Sequence, residues 1–273
     1  MPWFKLTVAY DGTEFSGWQF QPGRRTVQDE LQRAWQEITG ERVHAAAAGR
    51  TDAGVHALGQ TAGIESATRL DPPALLLALN AKLPADVAVR AVELAPDRFH
   101  ATADARSKRY RYVIYNDRRR PVFARRYAWH IPTPLDVAAM HEGAQHLVGT
   151  HDFACFQTAG SERTSTVRTI FAASVASAIS APGSARGSSS PGSTMHDPRA
   201  EPGADEEAAL IAIEVEGDGF LYTMVRTIAG TLVEVGRGKR DPQWVRDVVA
   251  SRDRVAAGQT APPQGLCLLR VAY

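Results

Sequence analysis

Hydrophobic and polar residues alternate with two different periods along the first hundred residues. Residues 4–10, FKLTVAY, alternate as a half-buried strand does. Apolar residues then recur at helical spacing over 27–38, with Thr26 as the expected N-cap, Asp29 as the third helical residue and Gly40 near the end. Short strands are predicted over 43–48, 59–65 and 86–94, and a second helix, opened by Asp71-Pro72-Pro73, over 71–82. The predicted order of elements is β-α-β-β-α-β.

The second half of the chain repeats this order. Strands are predicted over 109–116, 165–178, 209–216 and 266–273. Helices are predicted from Thr133-Pro134 to about Val148 with Asp136 in the first turn, over 221–235 with Gly236 as terminator, and from Asp241-Pro242. The predicted fold class is therefore α+β, with two ferredoxin-like (βαββαβ) halves, each an antiparallel sheet with helices on one face. The division falls near 100–106, giving halves 1–105 and 106–273.

One segment of the second half departs from this pattern. Residues 182–208 are rich in Gly, Ser, Pro and acidic residues, and they cannot supply a hydrophobic core. The sequence predicts a disordered insert between two strands.

Composition and charge add a candidate partner. The net charge is +1, yet 106–126 holds nine Lys or Arg against one acid, whereas 197–207 holds five acids and one Arg. Aromatic residues are interleaved with the basic ones, which suits phosphate contacts and base stacking in a nucleic-acid interface. A solvated strand face and its turn remains the alternative. No apolar run approaches a membrane span, the N-terminus has no signal-peptide pattern, and Cys155 and Cys267 match no metal or redox spacing, so we expect a cytoplasmic protein.

The residues 49–57, GRTDAGVHA, form the sharpest local feature and lie between two predicted strands. Two glycines bracket the carboxylate of Asp52, which is flanked by Arg50 and His56. Such a loop can hold one carboxylate in a fixed pose. Alternatively, Asp and Gly are simply turn residues here, and Arg50 only pairs with Asp52.

Several ordered motifs resemble the tRNA pseudouridine synthase A family. They are YDGTEFSGWQFQPGRRTVQDEL (10–31), GRTDAGVHALGQ (49–60), KRYRYVIYN (108–116), GTHDFACF (149–156), GDGFLYTMVRTIAGTLVEVGRGK (217–239) and QGLCLLRVAY (264–273). They span nearly the whole chain apart from the insert. The resemblance implies two ferredoxin-like halves that meet at a central RNA-binding cleft, in agreement with the repeat.

The resemblance also implies a reaction and a site. Uridines 38, 39 and 40 of the tRNA anticodon stem-loop would be isomerised without a cofactor or metal, by a homodimer. Asp52 matches the family's nucleophile, Arg226 the arginine that pairs with it, and Tyr110 the active-site tyrosine that stacks on the target uracil. Arg50 and His56 are candidate contacts to RNA phosphate, although His56 equally suits a structural role at the end of a loop.

Other functions compete with this one. A non-catalytic RNA-binding protein with tandem ferredoxin-like modules would also use the basic, aromatic strand 108–116. It does not explain a glycine-bracketed Asp52 together with Arg226. A glycosidase usually requires a second carboxylate, which only Asp11 or Asp218 could supply by converging on Asp52. The eight histidines form no HExxH motif, which disfavours a metal hydrolase.

Overall fold

The computed structural model describes residues 1–158, 165–177 and 210–273, so the insert predicted at 182–208 lies outside the described residues. The strands are β1 (Trp3–Tyr10), β2 (Ala46–Ala47), β3 (His56–Glu65), β4 (Val87–Ala95), β5 (Ser107–Tyr115), β6 (Trp129–His130), β7 (Gly149–Asp152), β8 (Val167–Ser177), β9 (Leu210–Gly217) and β10 (Leu266–Ala272). The α-helices are α1 (Val27–Thr39), α2 (Pro72–Lys82), α3 (Val137–Gln145), α4 (Met224–Gly236) and α5 (Trp244–Ser251). None of these helices has the length and apolar character needed to cross a membrane.

Local capping explains where the helices of the first half begin and end. The side chain of Thr26 accepts a hydrogen bond from the N–H of Asp29, and Gly40 closes α1 in the left-handed conformation at φ 76°. The side chain of Asp71 accepts from the N–H of Ala74, and proline occupies the first turn of α2. These boundaries confirm the predicted ones.

Several predicted boundaries were wrong. Helix α3 begins at Val137 rather than near Thr133, because the Asp136 side chain accepts from the N–H of Ala139 and acts as the N-cap. Helix α4 begins at Met224 rather than at 221, because Thr223 has a left-handed backbone at φ 58°. Gly236 is the last helical residue of α4 and not a residue beyond it.

All ten strands belong to one sheet with the path β4-β1-β3-β10-β5-β9-β8-β7, to which β2 and β6 add short pairings. Strands β4, β1, β3 and β2 pair antiparallel, and so do β10, β5, β9, β8 and β7. A short parallel pairing of β3 with β10, at His56 and Ala57, joins the two groups. The sequence predicted two sheets, whereas the structure has one. Strand β2 covers only residues 62–63 of β3, and β10 pairs with the start of β3 that β2 leaves open.

Alternate side chains of the strands are buried beneath the helices. Phe4 of β1 packs edge-on against Trp35 of α1, with ring centroids 5.6 Å apart, inside the main hydrophobic core. On β5, Tyr110, Tyr112 and Ile114 are buried, as strand alternation predicts. The core therefore fixes which side chains of β5 lie on the helical face.

The intervening residues of β5 are bound on the opposite face. Arg109 and Arg111 both donate to the carboxylate of Glu214 on β9, with 2.7 Å between Arg111 Nε and Glu214 Oε1. Burial raises the pKa of Glu214, but the hydrogen bonds and charges of the two arginines outweigh burial, so its pKa lies below the ordinary value. Two residues of the predicted basic stretch are thus held in a structural ion-pair cluster.

Glu214→Gln is expected to lower the free energy of unfolding by about 2 kcal/mol at neutral pH, because two guanidinium groups lose their carboxylate. A carboxylate with a depressed folded-state pKa stabilises above its unfolded-state pKa and loses that contribution as the pH falls through its folded-state pKa. The difference between variant and wild type should therefore shrink in acid. Urea unfolding across the acidic range measures it. The exposed pair Glu37–Lys82 offers the control, and Glu37→Gln should change stability by less than about 0.5 kcal/mol. An equal loss at every pH would contradict the assignment.

Candidate active site

A cavity of about 680 Å³ opens on the helical face of the sheet, between α1 and the start of α4. Its lining includes Asp52 from the loop before β3, Tyr110 from β5 and Arg226 from α4. These residues are far apart in the chain, and the sequence predicted all three as site residues. The structure brings them to one cavity.

Asp52 and Arg226 form the charged pair of this cavity. Arg226 Nη1 donates to Asp52 Oδ2 over 3.0 Å, and the two side chains are only 16% and 26% exposed, respectively. Arg226 is itself fixed, because its Nε donates to the carbonyl of Ala261 over 2.7 Å and its own carbonyl accepts from the N–H of Ala261. The guanidinium therefore holds the carboxylate in a set orientation, half-shielded from solvent.

Hydrogen bonds from neighbouring elements hold the backbone on both sides of Asp52. The N–H of Trp18 donates to the carbonyl of Thr51 over 3.0 Å, and the Thr51 hydroxyl lies 2.8 Å from the hydroxyl of Tyr10. Gln60 Nε2 donates to the carbonyl of Gly49 over 2.7 Å. Burial raises the pKa of Tyr10 above its ordinary value. These hydrogen bonds thus fix the backbone of the loop that carries Asp52 into the cavity.

Close packing against Gly17 also constrains this loop. Gly17 has φ +93°, and a Cβ at this position would lie 2.7 Å from the carbonyl oxygen of Thr51. Gly17→Ala is expected to lose about 2–3 kcal/mol of stability and to displace the Asp52 loop, since backbone strain and a clash act together. Gly23→Ala is the matched control, because Gly23 has φ +71° with nothing within 4 Å of a Cβ. It should lose only about 1 kcal/mol in chemical denaturation. Equal losses in both variants would show that the contact with Thr51 is unimportant.

Tyr110 forms part of the wall of the cavity on the sheet side. Its ring packs edge-on against Phe220 with centroids 5.1 Å apart, and the residue is 8% exposed. Its hydroxyl lies 4.0 Å from the position that a Cβ on Gly49 would occupy, beside the Asp52 loop. A planar ligand in the cavity would thus meet an aromatic ring and a carboxylate together.

Arg50 and His56, the other two predicted site residues, lie in different surroundings. Arg50 is exposed and lines the cavity. His56 is buried and is absent from the cavity lining. Its Nδ1 accepts from the N–H of Gly12, and its Nε2 lies 3.0 Å from the carbonyl oxygen of Arg126. This placement fits the structural alternative for His56.

Strand alternation indicates a further residue of the cavity, which is not among the predicted site residues. Lys108 lies two positions before Tyr110 on β5, is 6% exposed and lines the same cavity. In the sequence, Lys108 stands out only as part of the basic stretch 106–126 and as the first residue of the motif 108–116.

The residues of the cavity suit reactions at an organic electrophile. They provide one carboxylate held by a guanidinium, an aromatic wall and further cations. An aspartate so placed can act as a nucleophile. Within residues 1–158, 165–177 and 210–273, no group of three or more His, Cys, Asp or Glu is placed to hold a metal ion.

Comparison with known proteins places the chain in a family. A family profile described as tRNA pseudouridine synthase matches residues 6–102 and 144–273. The protein named tRNA pseudouridine synthase A of Moorella thermoacetica is 44% identical over 276 residues, covering 100% of both chains. Its namesakes in Geotalea uraniireducens and Bacillus subtilis are 43% and 41% identical, each over 98% of both chains. The chain therefore belongs to the tRNA pseudouridine synthase family.

Proposed function

We propose that this protein isomerises uridine to pseudouridine in tRNA, with Asp52 as the nucleophile. The observation that carries the proposal is the shared cavity, which is lined by Asp52, Arg226 and Tyr110 and in which Asp52 Oδ2 lies 3.0 Å from Arg226 Nη1. Membership of the tRNA pseudouridine synthase family supports the substrate and the reaction. A simple RNA-binding module would need neither the fixed carboxylate nor its partly buried guanidinium partner.

The reaction breaks the C1′–N1 glycosidic bond and joins the same uracil through C5. It involves no net oxidation, reduction or hydrolysis, so we expect no cofactor. Asp52 adds either to C1′ of the ribose or to the uracil ring. In the route through the sugar, an Asp52 oxygen bonds to C1′ while the electron pair of the C1′–N1 bond leaves with the uracil. The half-shielded position of Asp52 limits attack by water on the intermediate.

Tyr110 is proposed to stack on the uracil and to assist removal of the C5 proton after the base has turned. Tyr110→Phe is expected to keep tRNA affinity and to slow turnover by about 10²-fold or more, because the ring remains while the hydroxyl is lost. Single-turnover rates at saturating tRNA measure the effect. Tyr273→Phe serves as the control, since the Tyr273 hydroxyl donates to the carbonyl of Ala101 and neither residue lines the cavity. A wild-type rate in Tyr110→Phe would exclude a role for the hydroxyl.

The proposed target is the anticodon stem-loop, at uridines 38, 39 and 40. A target base must leave its stack to reach Asp52, at a cost of a few kcal/mol, which is lower at a loop or stem end than within a helix. Exposed Arg50 at the cavity is positioned to contact phosphate beside the extruded nucleotide. Other basic residues are already engaged, since Arg25 pairs with Asp86, and Arg237 and Lys239 pair with Glu234.

The architecture proposed for this activity is two ferredoxin-like halves flanking the cavity, 1–105 and 106–273. In support, the main strands of each half lie side by side in the same order. The neighbours are β4-β1-β3-β2 in the first half and β10-β5-β9-β8 in the second, so that in both halves the last strand along the chain lies next to the first. We further propose that the protein is a cytoplasmic homodimer, in which one subunit grips the tRNA body while the other receives the uridine. Light scattering of the purified protein tests the dimer, and a monomer mass would reject it.

Mapping pseudouridine in unmodified tRNA incubated with the purified protein tests the proposed function. We expect new pseudouridine at positions 38–40 and nowhere else in the tRNA. Pseudouridine at other positions would keep the activity and reject the proposed target. tRNA binding without any pseudouridine would leave the RNA-binding alternative in place.

A further inference from the structure

Tyr222 is an exposed aromatic residue of the cavity to which the proposed roles of Asp52, Tyr110 and Arg226 give no function. It lines the cavity and is 47% exposed. It lies in the segment 218–223, which connects β9 to α4. Single exposed aromatic residues are common on protein surfaces, so exposure alone implies no function. Two further features set Tyr222 apart, namely the aromatic residues beside it and the way its backbone is held.

Aromatic residues line the cavity from its sheet wall towards solvent. Tyr110 is 8% exposed, and its ring packs edge-on against Phe220, which is half-buried. Tyr222 follows two residues after Phe220 and is the most exposed of the three. The cavity volume of about 680 Å³ lies within the range of pockets that hold drug-sized molecules, which are larger than one pyrimidine base. The cavity therefore has room for a second base beside the one that contacts Tyr110.

The backbone holds Tyr222 in its exposed position. Leu221 before it and Met224 two residues after it are both buried in the core. Thr223 between them has a left-handed backbone at φ 58°, which is unfavourable for a β-branched residue. Its hydroxyl lies 2.6 Å from the hydroxyl of Thr158, whose N–H donates to the carbonyl of Tyr222 over 3.5 Å. Strained residues that the surrounding structure holds in this way cluster at active and binding sites.

Extrusion of the target uridine leaves a base surface that an exposed aromatic ring can cover. When a nucleotide leaves its stack, the base next to it loses a stacking partner on one face, which is part of the cost of extrusion. An aromatic side chain can cover that face whichever base it is, because every base has a π-face. Tyr110 is proposed to contact the target base itself, and Arg50 is positioned for phosphate. Tyr222, at the exposed end of the aromatic series, is therefore the residue placed to cover the neighbouring base.

We propose that Tyr222 stacks on the base of the nucleotide next to the extruded uridine. This inference rests on the proposed function and adds a second nucleotide to the site. The contact forms when tRNA binds and persists through the reaction, so it contributes to affinity and not to the chemical step. It tolerates any base, since stacking does not depend on the hydrogen-bonding groups of a base edge.

Tyr222→Ala and Tyr222→Phe separate the role of the ring from that of the hydroxyl. We expect Tyr222→Ala to raise the Kd for unmodified tRNA by about 10-fold, in the lower part of the range for loss of one base–aromatic stack. Tyr222→Phe keeps the ring and should stay within about 2-fold of wild type. The single-turnover rate at saturating tRNA should be unchanged in both variants, because the contact is equally strong before and during the reaction. Filter binding measures Kd.

Unmodified tRNA with an abasic nucleotide next to the target uridine identifies the stacked base. Two such RNAs, lacking the base on the 5′ or the 3′ side of the uridine, are compared with intact tRNA for wild type and Tyr222→Ala. Effects of the missing base on the RNA itself are common to both proteins and cancel in this comparison. On one of the two RNAs, the loss caused by Tyr222→Ala should fall from about 10-fold to less than about 2-fold. An undiminished loss on both RNAs would overturn the proposal.

Phe171→Ala is the matched control for the loss of an exposed aromatic ring. Phe171 on β8 is 52% exposed and is absent from the cavity lining. Its variant should have the rate and the Kd of wild type. Thermal melting identifies variants that fail to fold. If Tyr222→Ala is unfolded, Tyr222→Leu takes its place with the same expected loss of affinity, since leucine keeps apolar volume but has no π-face.

Three further results would each overturn the proposal. They are a wild-type Kd in Tyr222→Ala, a fall in the saturated rate without a rise in Kd, and unfolding of both the alanine and the leucine variant. If wild type binds tRNA but forms no pseudouridine, the proposed function fails separately. The comparison of Kd between Tyr222→Ala and Tyr222→Phe then still decides whether Tyr222 stacks on a base of the RNA.

Discussion

Asp52→Asn is expected to abolish pseudouridine formation while leaving tRNA bound with nearly unchanged affinity. The amide has the size of the carboxylate, and its oxygen can still accept from Arg226 Nη1. It lacks the negative charge and nucleophilicity that bond formation requires, so the rate should fall by at least about 10⁴-fold. Release of tritium from C5-labelled uridine in tRNA measures the rate, and filter binding measures the affinity.

Asp71→Asn provides a matched control for this change. Asp71 caps α2 through the N–H of Ala74, outside the cavity, and asparagine is an equally good N-cap. The control should therefore have the stability and rate of wild type. Full activity in Asp52→Asn would remove Asp52 from the nucleophile role, and loss of tRNA binding in the same variant would instead assign it to substrate recognition.

Arg226→Met is the second substitution with a large expected effect. It leaves Asp52 without the guanidinium that orients its carboxylate and supplies a neighbouring positive charge, and it leaves the carbonyl of Ala261 without its side-chain donor. We expect a fall of about 10³-fold in the single-turnover rate, with a smaller fall in Arg226→Lys, which keeps the charge but cannot bind both partners as a planar fork. Arg246→Met on α5 removes an exposed arginine and should leave the rate unchanged.

A double variant tests whether Arg226 acts through Asp52. If it does, Asp52→Asn with Arg226→Met should be no slower than Asp52→Asn alone, because residues that act as a unit have non-additive effects. Additive losses would mean that Arg226 contributes separately, through direct contact with the RNA. Melting temperatures of all four proteins separate these effects from unfolding.

Elements with strong local signals were predicted well from the sequence. Helix α1 has its cap at Thr26 and its terminating Gly40, and both depend on residues within the same short segment. The start of α4 could not be predicted, since nothing local indicates that Thr223 takes a left-handed backbone. Strands β6 and β7 have two and four residues, too few for a period to be visible in the sequence.

The site residues were predicted from the resemblance to a family. Local sequence patterns could not have predicted how these residues are arranged in space. Asp52 and Arg226 are separated by 174 positions, and no periodicity indicates that they meet. Strand alternation correctly placed Tyr110 on the opposite face of β5 from Arg109 and Arg111. The same rule places Lys108 on the face of Tyr110, although Lys108 was not predicted as a site residue. His56 stands in the same motif as Asp52, but it binds backbone groups outside the cavity. His56 is thus an exception within a motif of which Gly49, Arg50, Thr51, Asp52 and Val55 all line the cavity.

The central position of β10 has a consequence for how the molecule is made. This strand lies between β3 and β5 in the finished sheet, although it is translated after both. Until residues 266–272 have emerged from the ribosome, the facing edges of β3 and β5 lack their partner, and the two antiparallel groups have no strand to join them. Leu266, which lines the cavity, arrives with that strand. The ribosome must therefore translate β10 before a nascent chain can form the complete cavity.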